Sequence, residues 1–277
     1  MHFLLTDYLI LAVTGAAAGY FGGLLGLGGG VIMVPVLFEL LPHIIGPHPQ
    51  IPQIAVATSL GCVFFTSASS AYAHHGRRFI DWSLAAVSAP MSAAGSYLVT
   101  LFALRVSGVA LKVAFSAFIV IMAVRLWLFD SGKAPLEDRP LRGFTDRSKA
   151  SAIGLLIGFV GAAFGIGGGS LAVPAFVLGL NKPVHRAVGT ATVLGAVTGL
   201  VGTIGYLLVI PQEPVPGATG IVIPMAVLLL AAASIPLAQV GARHASSLNP
   251  VRLRRLFAIT LAVIGIMTVV RALLMSS

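Results

Sequence analysis

The stretch GYFGGLLGLGGGVIMVP at residues 19–35 is repeated without gaps as GFVGAAFGIGGGSLAVP at residues 158–174. Each copy carries four glycines within five positions, followed by a short apolar segment that contains a proline. A run of glycines breaks a helix and allows positive φ, so each copy predicts a helix break followed by a new helix. The repeat itself indicates an internal duplication.

A second, looser match follows each glycine cluster. IAVATSLG at 54–61 resembles RAVGTATVLG at 186–195, with Thr58 aligned on Thr190, and the offset between copies falls from 139 to 132 residues. The second copy therefore has the shorter loop. We predict two homologous membrane repeats, residues 1–129 and 150–277, joined by the long polar stretch 130–149 as a linker.

The composition places this duplication in a membrane. Of 277 residues, 57% are hydrophobic and 9% charged, with a mean hydropathy of +1.00. A soluble domain carries about 25% charged residues, so a water-facing globule is excluded. Apolar runs of about 20 residues match the ~30 Å of hydrocarbon that a helix must cross, whereas the strands of a β-barrel would alternate in shorter segments. The fold class is therefore an all-α, polytopic membrane helix bundle.

Each repeat is predicted to have four long helices and one short segment. The short segments, residues 30–42 and 169–180, follow directly on the glycine clusters and read as re-entrant or broken half-helices. The long helices are expected at 8–27, 54–73, 83–104, 108–129, 150–167, 186–210, 218–241 and 252–274.

The distribution of charge predicts how the halves are oriented. Lys and Arg outnumber Asp and Glu by 17 to eight, and they cluster in short connections, which are expected to be cytoplasmic. The connections 43–53 and 211–217 contain none, so they and both termini are predicted to lie outside. Because equivalent loops face opposite sides, the halves are predicted to be inverted repeats. The cationic positions are Arg77, Arg78, Lys133, Arg139, Arg142, Arg147, Lys149, Lys182, Arg186, Arg243, Arg252, Arg254 and Arg255.

Inverted repeats with matching glycine breaks are typical of secondary transporters, whose sites lie between the repeats near the midplane. Exposed amides and the positive end of a half-helix suit an anion. Helix packing alone also explains glycines, since Gly15, Gly19 and Gly23 have the four-residue spacing of close helix contacts, and Gly161, Gly165 and Gly169 repeat it. The candidate substrate-binding glycines are Gly26, Gly28, Gly29, Gly30, Gly165, Gly167, Gly168 and Gly169.

Hydroxyls and prolines extend this candidate site. Thr58, Ser59, Thr190 and Thr192 begin the helices after the short segments, where they are placed to bind a ligand oxygen or to bond their own backbone. Two prolines at equivalent positions, Pro35 and Pro174, are candidate kinks beside the breaks.

Titratable residues offer fewer candidates. Glu39 in the first short segment is the one plausible coupling carboxylate. The pair His74 and His75, beside basic residues, is placed either to sense pH or an anion or to anchor a helix at the interface. Cys62 is the single cysteine, which excludes an intrachain disulfide, and no catalytic residue, metal site, cofactor or nucleic-acid partner is predicted.

The doubled glycine-proline motif, GGLLGLGGGVIMVPVL at 22–37 and GAAFGIGGGSLAVPAFVLGL at 161–180, resembles the TauE/SafE family of sulfite-exporter-like permeases. The resemblance covers essentially the whole chain. It implies a multi-spanning protein of the inner or plasma membrane that exports a small anion such as sulfite, an organosulfonate or a related organic anion. The second half departs from the first, with Gly189-Thr190-Ala191-Thr192 in place of Ala57-Thr58-Ser59.

Three functional hypotheses remain. The first is a transporter that exports a small anion by alternating access around the two breaks. The second is a non-transporting membrane receptor that binds an anion, and the third is a cation-coupled importer of small carboxylates, which requires Glu39. The partners expected are the lipid bilayer and a small anionic substrate, and a homo-oligomer is left open.

Overall fold

The computed structural model describes residues 4–128, 143–211 and 213–245, together with 259, 262 and 263. Within these residues the chain is all-α and contains no β-strand. A short 3₁₀ turn, Ala103–Arg105, precedes the fifth helix. The helices of the described part are α1 (Leu5–Leu25), α2 (Gly30–Ile45), α3 (Ile51–His75), α4 (Trp82–Thr100), α5 (Gly108–Leu128), α6 (Gly143–Ala163), α7 (Gly169–Leu180), α8 (Val184–Leu207) and α9 (Pro224–Ala245).

Three long helices differ from the sequence prediction by four residues or more at one end or both. The helix expected over 83–104 ends at Thr100. The helix expected over 218–241 begins at Pro224, because Gly217 and Gly220 adopt positive φ in a turn closed by a bridge between Thr219 and Val222. Proline suits the first turn of a helix, where its missing N–H has no intrahelical partner.

The remaining bounds agree more closely. The short segments are helices of 16 and 12 residues, about 24 and 18 Å long, which is less than the hydrocarbon thickness. The third helix that differs is the one expected over 150–167, which begins seven residues earlier, at Gly143, and ends at Ala163 before the second glycine cluster. The helix expected over 252–274 and the linker up to residue 142 lie outside the described residues, apart from 259, 262 and 263.

Four of the described helices are long and apolar enough to cross a membrane, namely α1, α3, α8 and α9. Residues 108–124 of α5 are also apolar, and α4 buries its serines against protein. Ser88 donates to the carbonyl of Ala150 on α6, and Ser96 donates to the carbonyl of Thr198 on α8. A polar helix face that bonds its neighbours does not need to meet lipid.

One packed pair of helices has an equivalent pair, in which each helix is replaced by its counterpart from the other half. Helix α1 packs along α9 as α6 packs along α4, and α3 contacts α8 at the centre. In the first pair a Cβ atom on Gly19 would overlap the backbone of Ser234, and in the second a Cβ on Gly158 would overlap the backbone of Ser92. Small residues therefore allow both close helix contacts.

Hydrogen bonds between these helices are also equivalent in the two halves. Thr66 of α3 bonds Ser234 of α9 at 2.8 Å between hydroxyl oxygens, and Thr198 of α8 bonds Ser92 of α4 at 2.7 Å. The central helices α3 and α8 run antiparallel, since Gly61 lies near Thr203 and Ser67 lies near Gly195. Equivalent helices of the two halves therefore point in opposite directions.

The connections gather at two ends of the bundle. At one, the basic end, Arg77 donates to the carbonyls of Ala242 and Arg243, and Arg186 donates to the carbonyl of Ile80. The loops at the opposite end comprise residues 46–50, 101–107 and 208–223. Within the described residues, the connections of the basic end contain Arg77, Arg78, Asp81 and Lys182, with Arg186 and Arg243 in the adjoining helix turns, whereas those of the opposite end contain Arg105 and Glu213, with Lys112 in an adjoining turn.

A buried ion pair fixes the basic end. Lys182, in the connection between α7 and α8, is 1% exposed, and its Nζ lies 2.5 Å from Oδ2 of Asp81. The other carboxylate oxygen of Asp81 accepts from the amide of Leu84 at 3.0 Å and thereby caps α4. Burial alone would raise the pKa of Asp81, but the bonds from Lys182, Leu84 and Ser83, with the lysine charge, hold this pKa below its usual value.

Replacing Lys182 with Met is expected to destabilise the protein by ~3–5 kcal/mol, because it leaves the Asp81 carboxylate buried without its cation. Thermal unfolding in detergent measures the change. The double variant Asp81→Asn/Lys182→Met should recover part of the loss, since neither partner is then charged. An unchanged melting temperature for Lys182→Met would show that the pair does not hold this end together.

The same pair predicts the sign of a pH effect. A carboxyl whose pKa is lower in the folded than in the unfolded state stabilises the fold above the unfolded value of about 3.9. That contribution is present at neutral pH and is lost as the pH falls through the folded pKa of Asp81. Asp81→Asn should therefore lose less stability between pH 6 and pH 3 than the wild-type protein does.

Candidate functional site

Both glycine clusters form the helix breaks that the sequence predicts. Helix α1 ends at Gly26, with φ +73°, and α2 begins after Gly29, with φ +80°. The second cluster repeats this geometry, with φ +69° at Gly165 and +77° at Gly168. No side chain caps the amides at the start of α2 or α7, so the first turn of each keeps its N–H groups free of side-chain acceptors.

The two breaks lie against each other in the middle of the protein. A Cβ atom on Gly30 would overlap the carbonyl oxygen of Gly165, and a Cβ on Gly169 would overlap that of Gly26. All residues of 26–30 and 165–169 are buried. The contacts support the packing role considered for these glycines, and they also bring the amides of both half-helices to one place.

Helix α3 contacts both breaks. A Cβ on Gly28 would lie 2.7 Å from the Ser67 hydroxyl oxygen and 2.9 Å from Cγ1 of Val63. The same Val63 methyl group would overlap a Cβ on Gly167. Ser67 also touches Gly195 of α8, where the corresponding distance is 2.8 Å. Val63 and Ser67 therefore contact the centre of the candidate site, although the sequence analysis did not select them.

The four candidate hydroxyls are fully buried and fall into two classes. Thr58 accepts from the amide of Ile223 at 3.1 Å, and Thr190 accepts from the amide of Asp81 at 3.0 Å. A hydroxyl that accepts keeps its own proton to donate. Ser59 and Thr192 instead donate to the carbonyls of Gly165 and Gly189, so their protons already have acceptors.

The prolines and Glu39 lie farther along the half-helices. Pro35 and Pro174 are each the sixth residue of their helix and are half-buried. Glu39 is half-buried nine residues after Gly30, about 14 Å along the helix axis. Its backbone carbonyl oxygen lies 2.8 Å from Nδ1 of His43. The carboxylate is thus on the same helix as the break but away from it.

The two neighbouring histidines have different surroundings. His75 is exposed, as an interfacial anchor would be, whereas His74 is 1% exposed and its Nε2 lies 3.4 Å from the carbonyl oxygen of Gly23. The equivalent ring in the other half, that of Tyr206, donates to the carbonyl of Ala162 at 3.2 Å. In each half, one ring therefore contacts the helix that ends at the glycine break. The repeat alignment pairs His74 with Tyr206, but the sequence analysis did not select this pair because the two side chains differ in type.

The chemistry available between the breaks is that of amides and hydroxyls. Among the described residues, no group of three or more His, Cys, Asp or Glu side chains is placed to hold a metal ion. The nearest side chains to the glycines are aliphatic or hydroxyl-bearing. Such a site favours a small anion held by hydrogen bonds over one held by a fixed opposite charge.

Comparison with known proteins agrees with this architecture. A family model described as "Sulfite exporter TauE/SafE" matches residues 11–268. A probable membrane transporter protein of Haemophilus influenzae is 28% identical over 94% of this chain and 97% of its own length. The probable membrane transporter protein YunE of Bacillus subtilis is 31% identical over 73% of this chain and 79% of its own.

The similarity extends to archaea. A probable membrane transporter protein of Methanocaldococcus jannaschii is 27% identical over 93% of both chains. No solved structure matches the chain. With the family model spanning nearly all of the sequence, and with apolar helices long enough to cross a bilayer, the protein is a multi-pass membrane protein of the TauE/SafE transporter family.

Proposed function

We propose that the protein exports a small anion, such as sulfite, an organosulfonate or a related organic anion, by alternating access around the two glycine breaks. The observation that carries the proposal is the meeting of two half-helix starts, α2 and α7, at one buried place. Each helix N-terminus directs amides and a positive dipole end toward an anion.

The site that we propose combines backbone and hydroxyl donors. Thr58 and Thr190 keep a free hydroxyl proton, whereas Ser59 and Thr192 must exchange a carbonyl partner for the substrate. Pro35 and Pro174 shape the half-helices that follow. The glycines that contribute amides are Gly26, Gly28, Gly29, Gly30, Gly165, Gly167, Gly168 and Gly169.

The proposed orientation places the basic end, with the polar linker 130–149, in the cytoplasm and the opposite end with the termini outside. The antiparallel course of α3 and α8 supports the inversion of the halves that this orientation requires. Moving one negative charge outward with an inside-negative potential supplies ~2.3 kcal/mol per 100 mV, so export needs no coupling ion.

Efflux of sulfite, sulfoacetate and acetate from proteoliposomes with an imposed potential tests the proposal. We expect saturable flux of at least one of these anions, which rises when the interior is made more negative, because the moving species is charged. Empty liposomes and liposomes with heat-inactivated protein give the background. Background-level flux for every anion, from folded protein, would contradict the export of these anions.

Replacing Gly28 and Gly167 together with Ala is expected to reduce flux at least tenfold, because the new methyl groups would press on Ser67 and Val63 between the breaks. Positive φ costs an Ala residue about 1–2 kcal/mol at each position as well. The matched control is Gly46→Ala, where φ is +84° but no atom lies within 4 Å. With ψ at 174°, its backbone conformation is at least as unfavourable for Ala, so this control carries positive-φ strain without the contact.

Size-exclusion chromatography establishes that each glycine variant is folded before its flux is compared. Wild-type flux in a folded Gly28→Ala/Gly167→Ala variant would contradict a role for the breaks in transport. Equal losses in this variant and in Gly46→Ala would assign the effect to backbone strain.

A substitution of Glu39 tests the alternative hypothesis, a cation-coupled importer of carboxylates. Its side chain lies about two and a half turns beyond the break, which disfavours direct contact with a substrate there. We therefore expect Glu39→Gln to retain potential-driven anion efflux within about twofold of wild type. A requirement for a proton or sodium gradient that disappears in Glu39→Gln would favour the coupled importer instead.

A further inference from the structure

Three polar side chains of α3 share one face of the helix, at the spacing i, i+3 and i+7. They are Ser67, Ser70 and His74, which are 0%, 1% and 1% exposed. Within the described residues, the hydroxyl oxygens of both serines and Nδ1 of His74 have no hydrogen-bond partner. We call these three residues the α3 polar row.

Most buried serines among the described residues do bond a partner, and the other exception is Ser170, the second residue of α7. Ser92 and Ser96 of α4 are equally buried, and they bond the hydroxyl oxygen of Thr198 at 2.7 Å and its carbonyl oxygen at 2.9 Å. Leaving a buried polar group without a partner costs stability, so proteins satisfy such groups unless a ligand or water does so. The α3 polar row therefore points to a bound species.

The row connects the breaks with the basic end. Its first member, Ser67, touches Gly28 of the first break and Gly195 beside the second. Its last member, His74, lies seven residues or about 10 Å farther along α3, beside the end of α1. The His74 ring is 6.2 Å from that of Phe79, on which His185 stacks at 5.2 Å.

The second half has no such row. With the offset of 132 residues, the counterparts of Ser67, Ser70 and His74 are Gly199, Gly202 and Tyr206. Two of these have no side chain, and the hydroxyl of Tyr206 is satisfied by a backbone carbonyl. The polar row thus belongs to the side of the breaks that leads to the basic end.

We propose that the α3 polar row binds a small oxyanion, with Ser67 donating to it at the glycine breaks and Ser70 donating along its approach from the basic end, where His74 ends the row with its Nε2 beside the carbonyl oxygen of Gly23. This inference rests on the export function proposed above and names side chains of α3 that hold the anion at the same site. Several acceptor oxygens, as in sulfite or a sulfonate, allow one anion to accept from two hydroxyls and from backbone amides together.

Binding of sulfite and sulfoacetate to the purified protein, measured by isothermal titration calorimetry in detergent, tests the proposal without requiring transport. Ser67→Ala/Ser70→Ala should bind at least tenfold more weakly, as expected when hydrogen bonds to an anion are lost. Without anion, its melting temperature should equal or exceed that of wild type, because two unpartnered buried hydroxyls are removed. Chloride at equal ionic strength controls for general salt effects.

Ser69→Ala is the matched control, since this serine lies on the same helix but donates to the carbonyl of Ile235 at 2.8 Å. It should keep wild-type affinity. If the double variant does not fold, Ser67→Gly, which introduces the residue found at the equivalent position 199, replaces it in the comparison.

The outcomes separate this inference from the export proposal. Equal oxyanion affinity in wild type and the Ser67 variants, or no binding of either oxyanion to wild type, would overturn the inference. Wild-type efflux, measured separately, decides the export proposal in both cases. Weaker binding together with a lowered melting temperature would assign Ser67 and Ser70 to the packing of α3 and would also overturn it.

Discussion

The contact between the two glycine breaks is the constraint on which the rest of the structure depends. Gly30 lies against the carbonyl of Gly165, and Gly169 against that of Gly26, so neither position has room for a side chain. Positive φ at the flanking glycines turns the chain from one helix into the next within a few residues. Packing and function are therefore not exclusive explanations for these glycines, because the close contact is what brings both helix starts together.

Among the described residues, several contacts outside the breaks recur in both halves. The bond of Thr66 to Ser234 is repeated by that of Thr198 to Ser92, and Thr58 and Thr190 both accept from an amide just before a following helix. Contacts of this kind recur in the described residues of both halves. For the mechanism that we propose, this equivalence matters, since two alike halves allow two alike arrangements with the access side exchanged.

Sequence patterns predicted local features of this fold well. The breaks, the short half-helices and the central helices follow from glycine runs and apolar length, which depend on neighbouring residues. The premature end of α4 at Thr100 and the turn before Pro224 were missed because apolar residues continue through both segments. Ser67 was missed because its significance lies in contacts with Gly28 and Gly195, and the latter is 128 residues away in sequence. Only the tertiary fold brings such residues together.

The two halves also differ in the side chains that surround equivalent residues. Thr190 bonds the amide of Asp81, which is charged and paired with Lys182, whereas Thr58 bonds the amide of the apolar Ile223. The basic end thus has a fixed ion pair where the opposite end has a hydrocarbon side chain. In the mechanism that we propose, the duplicated backbone supplies two equivalent access routes, but unlike side chains along them give an anion different surroundings on each side. In an exporter that uses the membrane potential, that asymmetry favours capture at the basic end, where cations attract the anion, and release at the end that has fewer of them.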